Sequence, residues 1–160
     1  MSAEARIGEL EHLLPPEPQL PPGVSIPFQW VRVVGDRCMV SGHGALTAAG
    51  VPSGPFGRVP SEVSLEEAQA SALAAAFASL AAVRRSIGSL DRIAAWLMIN
   101  GYVNADEGYT QTTAVLNPVS ELLLDVFGPD IGAHARTAIG VRALPLNLPV
   151  VFSAEVLLSP

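Results

Sequence analysis

Apolar and polar residues alternate with a period of two in several stretches of the chain, which is typical of β-strands. Residues 28–34 and 37–41 form a predicted pair, joined by the turn sequence Gly35-Asp36. The longest strand is predicted over residues 93–103, with Ile93, Ala95, Leu97 and Ile99 on one face and the intervening side chains on the other. Two shorter strands are predicted near the C-terminus, over residues 137–141 and 150–158, with a turn at Leu144-Pro145 between them.

Two segments have the 3.6-residue spacing of helices instead. The first begins at a capping box formed by Ser64 and Glu67 and runs to about Ile87, where Gly88 suits the left-handed position after a helix end. The second is predicted over residues 109–127, with a kink or short break at Pro118, because proline removes a hydrogen bond from a helix interior. The resulting order, β-β-α-β-α-β-β with no internal repeat, predicts an α+β fold with both helices on one face of a mixed sheet.

The 160 residues are expected to form one domain, since this length is close to the usual domain size. Residues 1–27 form a proline-rich N-terminal segment, expected to be mostly extended over residues 14–27, and residues 28–160 form the predicted core. Residues 42–60 are rich in glycine and proline and are predicted to be a loop that crosses the surface near a cleft.

Composition excludes several classes of protein. The net charge of −6, without a basic run, argues against nucleic-acid binding, which depends on neutralising phosphates. No segment of about 20 strongly apolar residues is present, and the N-terminus has no uncharged apolar core before a cleavage site, so neither a membrane span nor a signal peptide is predicted.

The single cysteine, Cys38, fits a small core residue and a reducing, cytoplasmic compartment. Sparse charge and plentiful apolar residues indicate an oligomer that buries apolar surface between subunits.

Arg136 stands out because it opens an otherwise apolar strand. Either it is a solvated strand end or a salt-bridge partner, or its guanidinium holds a carboxylate or phosphate. His134 is expected on the same face of the strand, since it lies two residues earlier, although a surface position is equally consistent. His43 could act as a general base, but a solvated loop histidine is slightly favoured. Three scattered histidines do not form a metal site, and no phosphate-binding loop or nucleophile elbow is present.

The order and spacing of several short segments resemble the RidA/YjgF family. Arg136 is followed, after seven residues, by the hairpin Leu144-Pro145, and residues 33–44 resemble the family's strand, glycine turn and strand ending in Ser-Gly. The remaining segments of the resemblance are Ser64–Ala68, Gly88–Asp91, Val103–Ala105, Asn117 and Phe127-Gly128. The resemblance extends from about residue 20 to residue 156, and the sequence is closer to a divergent bacterial branch than to the best-known imine deaminases.

This resemblance implies a chorismate-mutase-like sandwich that assembles as a homotrimer with ligand clefts between subunits. The arginine matching Arg136 holds a substrate carboxylate in the family. The family glutamate that positions the attacking water corresponds to Val151, so that acid is missing, and His43 replaces the family glutamine after Ser-Gly. Phe28 lies near a ligand-facing tyrosine of the family, and Asn117 matches an asparagine near the cleft, although it could instead be a helix cap.

Two functions are therefore expected from the sequence. One is an enzyme that binds a 2-imino, enamine or 2-oxo acid, in which Arg136 grips the carboxylate, backbone groups around Gly140 bind a carbonyl or water, and His43 moves a proton. The other is a trimer that binds or senses a ligand without chemistry, which the missing glutamate favours. The predicted partners are other copies of the chain and a small carboxylate, and no cofactor is expected.

Overall fold

The computed structural model describes all 160 residues as one five-stranded sheet with two long helices. The strands are β1 (Val31–Val34), β2 (Arg37–His43), β3 (Ile93–Asn104), β4 (Ala135–Val141) and β5 (Val150–Leu158), and the helices are α1 (Ala3–Gly8), α2 (Leu65–Ile87) and α3 (Thr112–Ile131). Their order in the sheet is β1-β2-β5-β3-β4, and only β3 and β4 are parallel. The predicted mixed α+β sheet with both long helices on one face is confirmed.

The ends of α2 are set by the residues that the sequence indicated. The Ser64 side chain accepts a hydrogen bond from the Glu67 backbone at 3.1 Å, and the Glu67 carboxylate accepts one from the Ser64 backbone at 2.8 Å. Gly88 ends the helix with a φ of 86°. The helix is long and apolar enough to cross a membrane, but 67% of its apolar window is buried inside the protein, as in the core helix of a soluble domain.

The predicted alternation along β3 is wrong in its first half. Trp96 and Ile99 are both buried against the helices, while Leu97 is 40% exposed on the opposite face. The pairing of β3 with β5 shifts register twice, between Ile93 and Ala95 and between Trp96 and Met98. Each bulge adds a residue and exchanges the two faces, so a strict period of two fails across it.

The break predicted in the second helix lies elsewhere. The backbone remains helical through Pro118 and leaves the helical region only at Gly128, where φ is 79°. Pro118 has no N–H for the carbonyl of Ala114, four residues earlier, but Gln69 of α2 donates to that carbonyl at 2.9 Å. Asn117 therefore lies inside α3 and does not cap a helix.

The N-terminal residues pack against the rest of the fold. Ile7 of α1 is fully buried in the core, and the Arg6 guanidinium donates to the Val126 carbonyl at 2.8 Å. Arg84 of α2 forms ion pairs with Glu4 and Glu11. The core lies between the helices and one sheet face, where Phe152, Ala154 and Val156 of β5 are buried.

The other sheet face has no helix over it. Val151, Ser153, Glu155 and Leu157 alternate with the buried residues of β5 and are only partly covered. Leu97 and Ile139 are 40% and 46% exposed on neighbouring strands. We call this surface the open face. Its main charged feature is an ion pair between Arg37 and Glu155.

Candidate functional site: an apolar cleft and a separate arginine cluster

A cleft of about 660 Å³ lies where β2 ends and β5 begins. Its wall includes residues from the N-terminal segment, the stretch just before β1, the end of β2, the loop after β2, the turn before β5 and the start of β5. The residues are Pro18, Gln19, Leu20, Pro21, Pro22, Phe28, Trp30, Gly42, His43, Gly44, Ala45, Leu46, Val51, Pro52, Pro145, Leu146, Leu148 and Val151. His43 is the one titratable side chain among them.

Two glycines, at the end of β2 and just after it, let the backbone lie close to side chains of β5 and of the turn before it, beside the cleft. A Cβ at Gly42 would lie 3.0 Å from Val151, and one at Gly44 would lie 2.7 Å from Leu148. A side chain at either position would therefore displace a neighbour on β5 or in the turn before it. The sequence Gly42-His43-Gly44 places His43 between two residues that bring the backbone close to β5.

His43 is buried, with 3% of its surface exposed, so the slightly favoured prediction of a solvated loop histidine is wrong. Its Nδ1 lies 2.6 Å from the carbonyl oxygen of Ser41. A carbonyl only accepts, so Nδ1 carries the proton and donates. Burial lowers the pKa of His43, the Ser41 hydrogen bond opposes this change, and the charge of Arg85 adds to it. The ring is therefore neutral at pH 7, and Nε2 is a hydrogen-bond acceptor without a partner in the protein.

The depressed pKa of His43 predicts an acid-sensitive contribution to folding. The unfolded histidine titrates near 6.5 and the folded one lower, so the unfolded state binds more protons between the two values. This contribution is fully present above pH 6.5 and is lost as the pH falls through the folded pKa. We expect urea denaturation of His43→Gln to show a smaller stability loss between pH 7.5 and 5 than the parent protein. His12→Gln, at an exposed site, is the control, and equal losses in the parent and His43→Gln would refute the assignment.

Aromatic rings extend from His43 towards the cleft entrance. Trp30 lies against His43 with ring centroids 5.4 Å apart, and Phe28 meets Trp30 edge-on at 5.3 Å. Phe28 is 48% exposed, which is unusual for a large aromatic ring. The structure therefore brings Phe28 and His43 to one cleft, together with Val151.

Arg136 belongs to a different cluster, on the helix side of β4. Its guanidinium donates to Ser120 Oγ at 2.9 Å, to Asn117 Oδ1 at 3.0 Å and to the Thr113 carbonyl at 3.3 Å, all on α3. None of these partners carries a negative charge, and partial burial lowers the pKa of Arg136. A guanidinium has five N–H donors, so two remain without a protein partner.

His134 joins this cluster through Ser120. Its Nδ1 donates to the Gly132 carbonyl at 2.7 Å, and its Nε2 lies 2.9 Å from Ser120 Oγ, the same oxygen that Arg136 contacts. The expectation that His134 and Arg136 lie on the same face is confirmed, because both side chains contact Ser120 Oγ. Ser120 was not identified from the sequence, because an isolated serine within a helix carries no recognisable signal.

The two clusters are far apart within one chain. Arg136 pairs with Ile99 of β3, whereas Val151 in the cleft pairs with Tyr102, three residues further along. β3 also separates β4 from β5. At ~3.3 Å per residue and ~4.8 Å per strand, Arg136 lies on the order of 10 Å from Val151 both along and across the sheet.

Gly140 lies in neither cluster. It pairs with Val103, and a Cβ at Gly140 would lie 3.1 Å from the Cβ of Ala105. This spacing explains the glycine as a close approach of β4 to the residues after β3.

No profile of a known protein family matches the chain. Protein TCP17 of Trypanosoma cruzi is 30% identical to it over 138 residues, which cover 86% of each protein. A solved structure from Shewanella oneidensis, provisionally named an endoribonuclease, is 24% identical, covers 99% of this chain and all of its own, and superimposes with a TM-score of 0.84. Escherichia coli TdcF, solved with bound serine, has the same fold at a TM-score of 0.55 and 16% identity, over 86% of this chain and 93% of TdcF.

Proposed function

The chain belongs to the RidA/YjgF family, and we propose that it binds a small carboxylic acid, a 2-imino, enamine or 2-oxo acid, in clefts between the subunits of a homotrimer. The observation that carries this proposal is the uncompensated charge of Arg136. Arg136 is partly buried, yet its three protein partners are neutral and two of its N–H donors have no protein partner. A ligand carboxylate would supply the missing charge through the two parallel hydrogen bonds that a guanidinium favours. Asn117 and Ser120 hold the guanidinium in place, and His134 orients Ser120.

The separation of Arg136 from the cleft supports a site that two subunits share. A small acid cannot span the distance between Arg136 and Val151 within one chain. The open face presents Leu97 and Ile139 to solvent, and soluble proteins usually bury such surface against a partner. In a ring of identical subunits, the β4 edge of one sheet, which carries Arg136, can approach the cleft of the next subunit. TdcF, which has the same fold, was solved with the amino acid serine bound.

Trimer formation is the first expected result. Light scattering should give a mass three times that of the 16.7 kDa chain at micromolar concentration. Leu97→Asp should lower that mass, because a charge on the open face opposes its burial between subunits. Leu124→Asp, at a 41% exposed position on α3, is the matched control and should leave the mass unchanged. A stable monomer of the parent protein would contradict the shared site.

Imine hydrolysis is the reaction that His43 could support. Water adds to the imine carbon, the C–N bond breaks and ammonia leaves, so the product is a 2-oxo acid. The neutral Nε2 of His43 can accept a proton from the attacking water and return one to the departing nitrogen. Aromatic and aliphatic groups around His43 exclude bulk water from this step.

A binding role without chemistry is the second candidate, and Val151 favours it. The cleft residues include no carboxylate, so His43 alone would have to position and deprotonate water. Ammonia release from freshly generated 2-aminoacrylate distinguishes the two functions. A rate above the spontaneous hydrolysis of the imine supports an enzyme, whereas an unchanged rate with a bound carboxylate supports a sensor or accessory protein.

We place the protein in the cytoplasm without nucleic-acid partners. Cys38, the single cysteine, is buried, and burial raises the pKa of its thiol to about 11, so it is an unreactive core residue. The net charge of −6 opposes contact with a phosphate backbone. The endoribonuclease name of the Shewanella protein is therefore not extended to this chain.

A further inference from the structure

The size and lining of the cleft point to a more specific ligand. Resting on the proposed function, we propose that the acid carries a large apolar body, such as an aromatic ring or a branched hydrocarbon, and an N–H or O–H donor for Nε2 of His43. The apolar body would occupy the cleft, while the carboxylate would reach Arg136 of the adjacent subunit.

The volume of the cleft exceeds the needs of a three-carbon acid. It measures about 660 Å³, whereas a water molecule takes up about 30 Å³ and pockets for drug-sized ligands span roughly 300–1,000 Å³. Its wall is dominated by hydrocarbon from Phe28, Trp30, Leu20, Leu46 and Val151. A small polar acid would leave most of this surface in contact with water, so the lining favours a ligand that covers it.

One wall comes from Pro18–Pro22, which we call the proline wall. The backbone N–H of Gln19 donates to the Gly50 carbonyl at 2.8 Å, and Arg85 donates to the Pro15 carbonyl at 3.1 Å. Gly50 has a φ of 78°, and a Cβ there would lie 2.7 Å from the Glu17 carbonyl oxygen. The contacts at Gly50 hold the proline wall against the loop after β2, Arg85 of α2 holds the residues just before the wall, and the prolines restrict the backbone further. The cleft is therefore largely formed before a ligand enters it.

His43 defines the polar requirement of the ligand. Nδ1 donates to the Ser41 carbonyl, so in the neutral ring Nε2 is an acceptor, and a ligand group that reaches it must be a hydrogen-bond donor. Only 3% of the surface of His43 is exposed, and Nε2 has no protein partner. A buried acceptor without a partner is costly, which makes a donor on the ligand favourable.

Calorimetry on the full chain with four matched compounds tests this proposal. 3-Phenyllactate has the carboxylate, a hydroxyl donor and a ring; lactate lacks the ring, 3-phenylpropionate lacks the donor and 2-phenylethanol lacks the carboxylate. We expect 3-phenyllactate to bind ~10- to 100-fold more tightly than lactate, because a phenyl ring is buried. It should bind about tenfold more tightly than 3-phenylpropionate, because Nε2 gains a donor.

A variant in the cleft wall links the preference to this site. Leu146 lines the cleft and is 67% exposed, so Leu146→Gly removes a lining side chain without disturbing the core. Its φ of 58° suits glycine, so the substitution also relieves backbone strain. This substitution should lower the affinity for 3-phenyllactate several-fold and leave the affinity for lactate unchanged. Leu124→Ala, on an exposed part of α3, should alter neither.

The outcomes separate this inference from the proposed function. Equal affinities for lactate and 3-phenyllactate, both lost in Arg136→Gln, would overturn the proposal that the ligand has a large apolar body. The same result would support a carboxylate site at Arg136. Equal affinities for 2-phenylethanol and 3-phenyllactate would support binding of an apolar ligand in the cleft and would overturn the proposal that Arg136 binds its carboxylate. Failure of all four compounds to bind would overturn both.

Discussion

Replacing Val151 with glutamate is expected to raise the rate of imine hydrolysis by ~10²–10⁴-fold, the usual contribution of a well-placed acid or base. Val151 lies in the cleft wall beside Gly42, on the same strand as the residues of the open face. Its hydrocarbon side chain can neither orient water nor take a proton. The resemblance to RidA/YjgF proteins places their water-positioning glutamate at this position. The measurement is ammonia release from freshly generated 2-aminoacrylate, corrected for spontaneous hydrolysis.

Val151→Gln is the matched control for this gain. Glutamine has the shape of glutamate but no basic carboxylate, so it should leave the rate close to that of the parent. The trimeric mass must be checked in both variants, because burial of a carboxylate raises its pKa and costs stability. A trimeric Val151→Glu protein that binds a carboxylate and remains inactive would argue for a binding role. Rapid hydrolysis by the parent protein would instead contradict the need for an acid at position 151 and would point to His43 or Glu155 as the substitute.

Arg136→Lys is expected to weaken carboxylate binding by on the order of 1.5–3 kcal/mol, although the charge is kept. Lysine offers a compact ammonium and cannot form the two parallel hydrogen bonds of a guanidinium. It also loses the contacts to Ser120 and Asn117 that fix the direction of the side chain. Calorimetry with a 2-oxo acid that binds the parent protein measures the loss.

Arg142→Lys is the control for that substitution, since Arg142 is exposed beyond the end of β4. It should bind the acid as the parent does. Thermal denaturation distinguishes the alternative in which Arg136 only ties β4 to α3. Lower stability with unchanged affinity in Arg136→Lys would mean that the residue is structural.

Local signals explain why much of the fold could be predicted from the sequence. The capping box at Ser64, the glycine at position 88 and the alternation of β5 are determined by neighbouring residues. The shared face of His134 and Arg136 follows in the same way from the side-chain period of a strand. Each of these predictions depends on contacts within a few residues.

Features that depend on distant residues were not predictable. Pro118 should break α3, but a side chain from α2, Gln69, satisfies the carbonyl that proline leaves free. The bulges in β3 arise from its pairing with β5, about 55 residues later in the chain. The proline wall takes its place through a hydrogen bond between Gln19 and Gly50, and the sequence indicated only an extended segment. The burial of His43 was missed because it depends on packing from several such segments.

A mixing experiment tests most directly whether the cleft and Arg136 serve one site across a subunit boundary. Arg136→Gln removes the carboxylate partner, and Val51→Asp places a repelling charge in the cleft wall at a position that is 43% exposed. Each variant alone should be a trimer that fails to bind a carboxylate bound by the parent. Trimers assembled from an equal mixture should regain about a quarter of the parent sites, because that share of boundaries joins an intact cleft to an intact Arg136. Mixed trimers without any recovered binding would contradict a site shared between subunits.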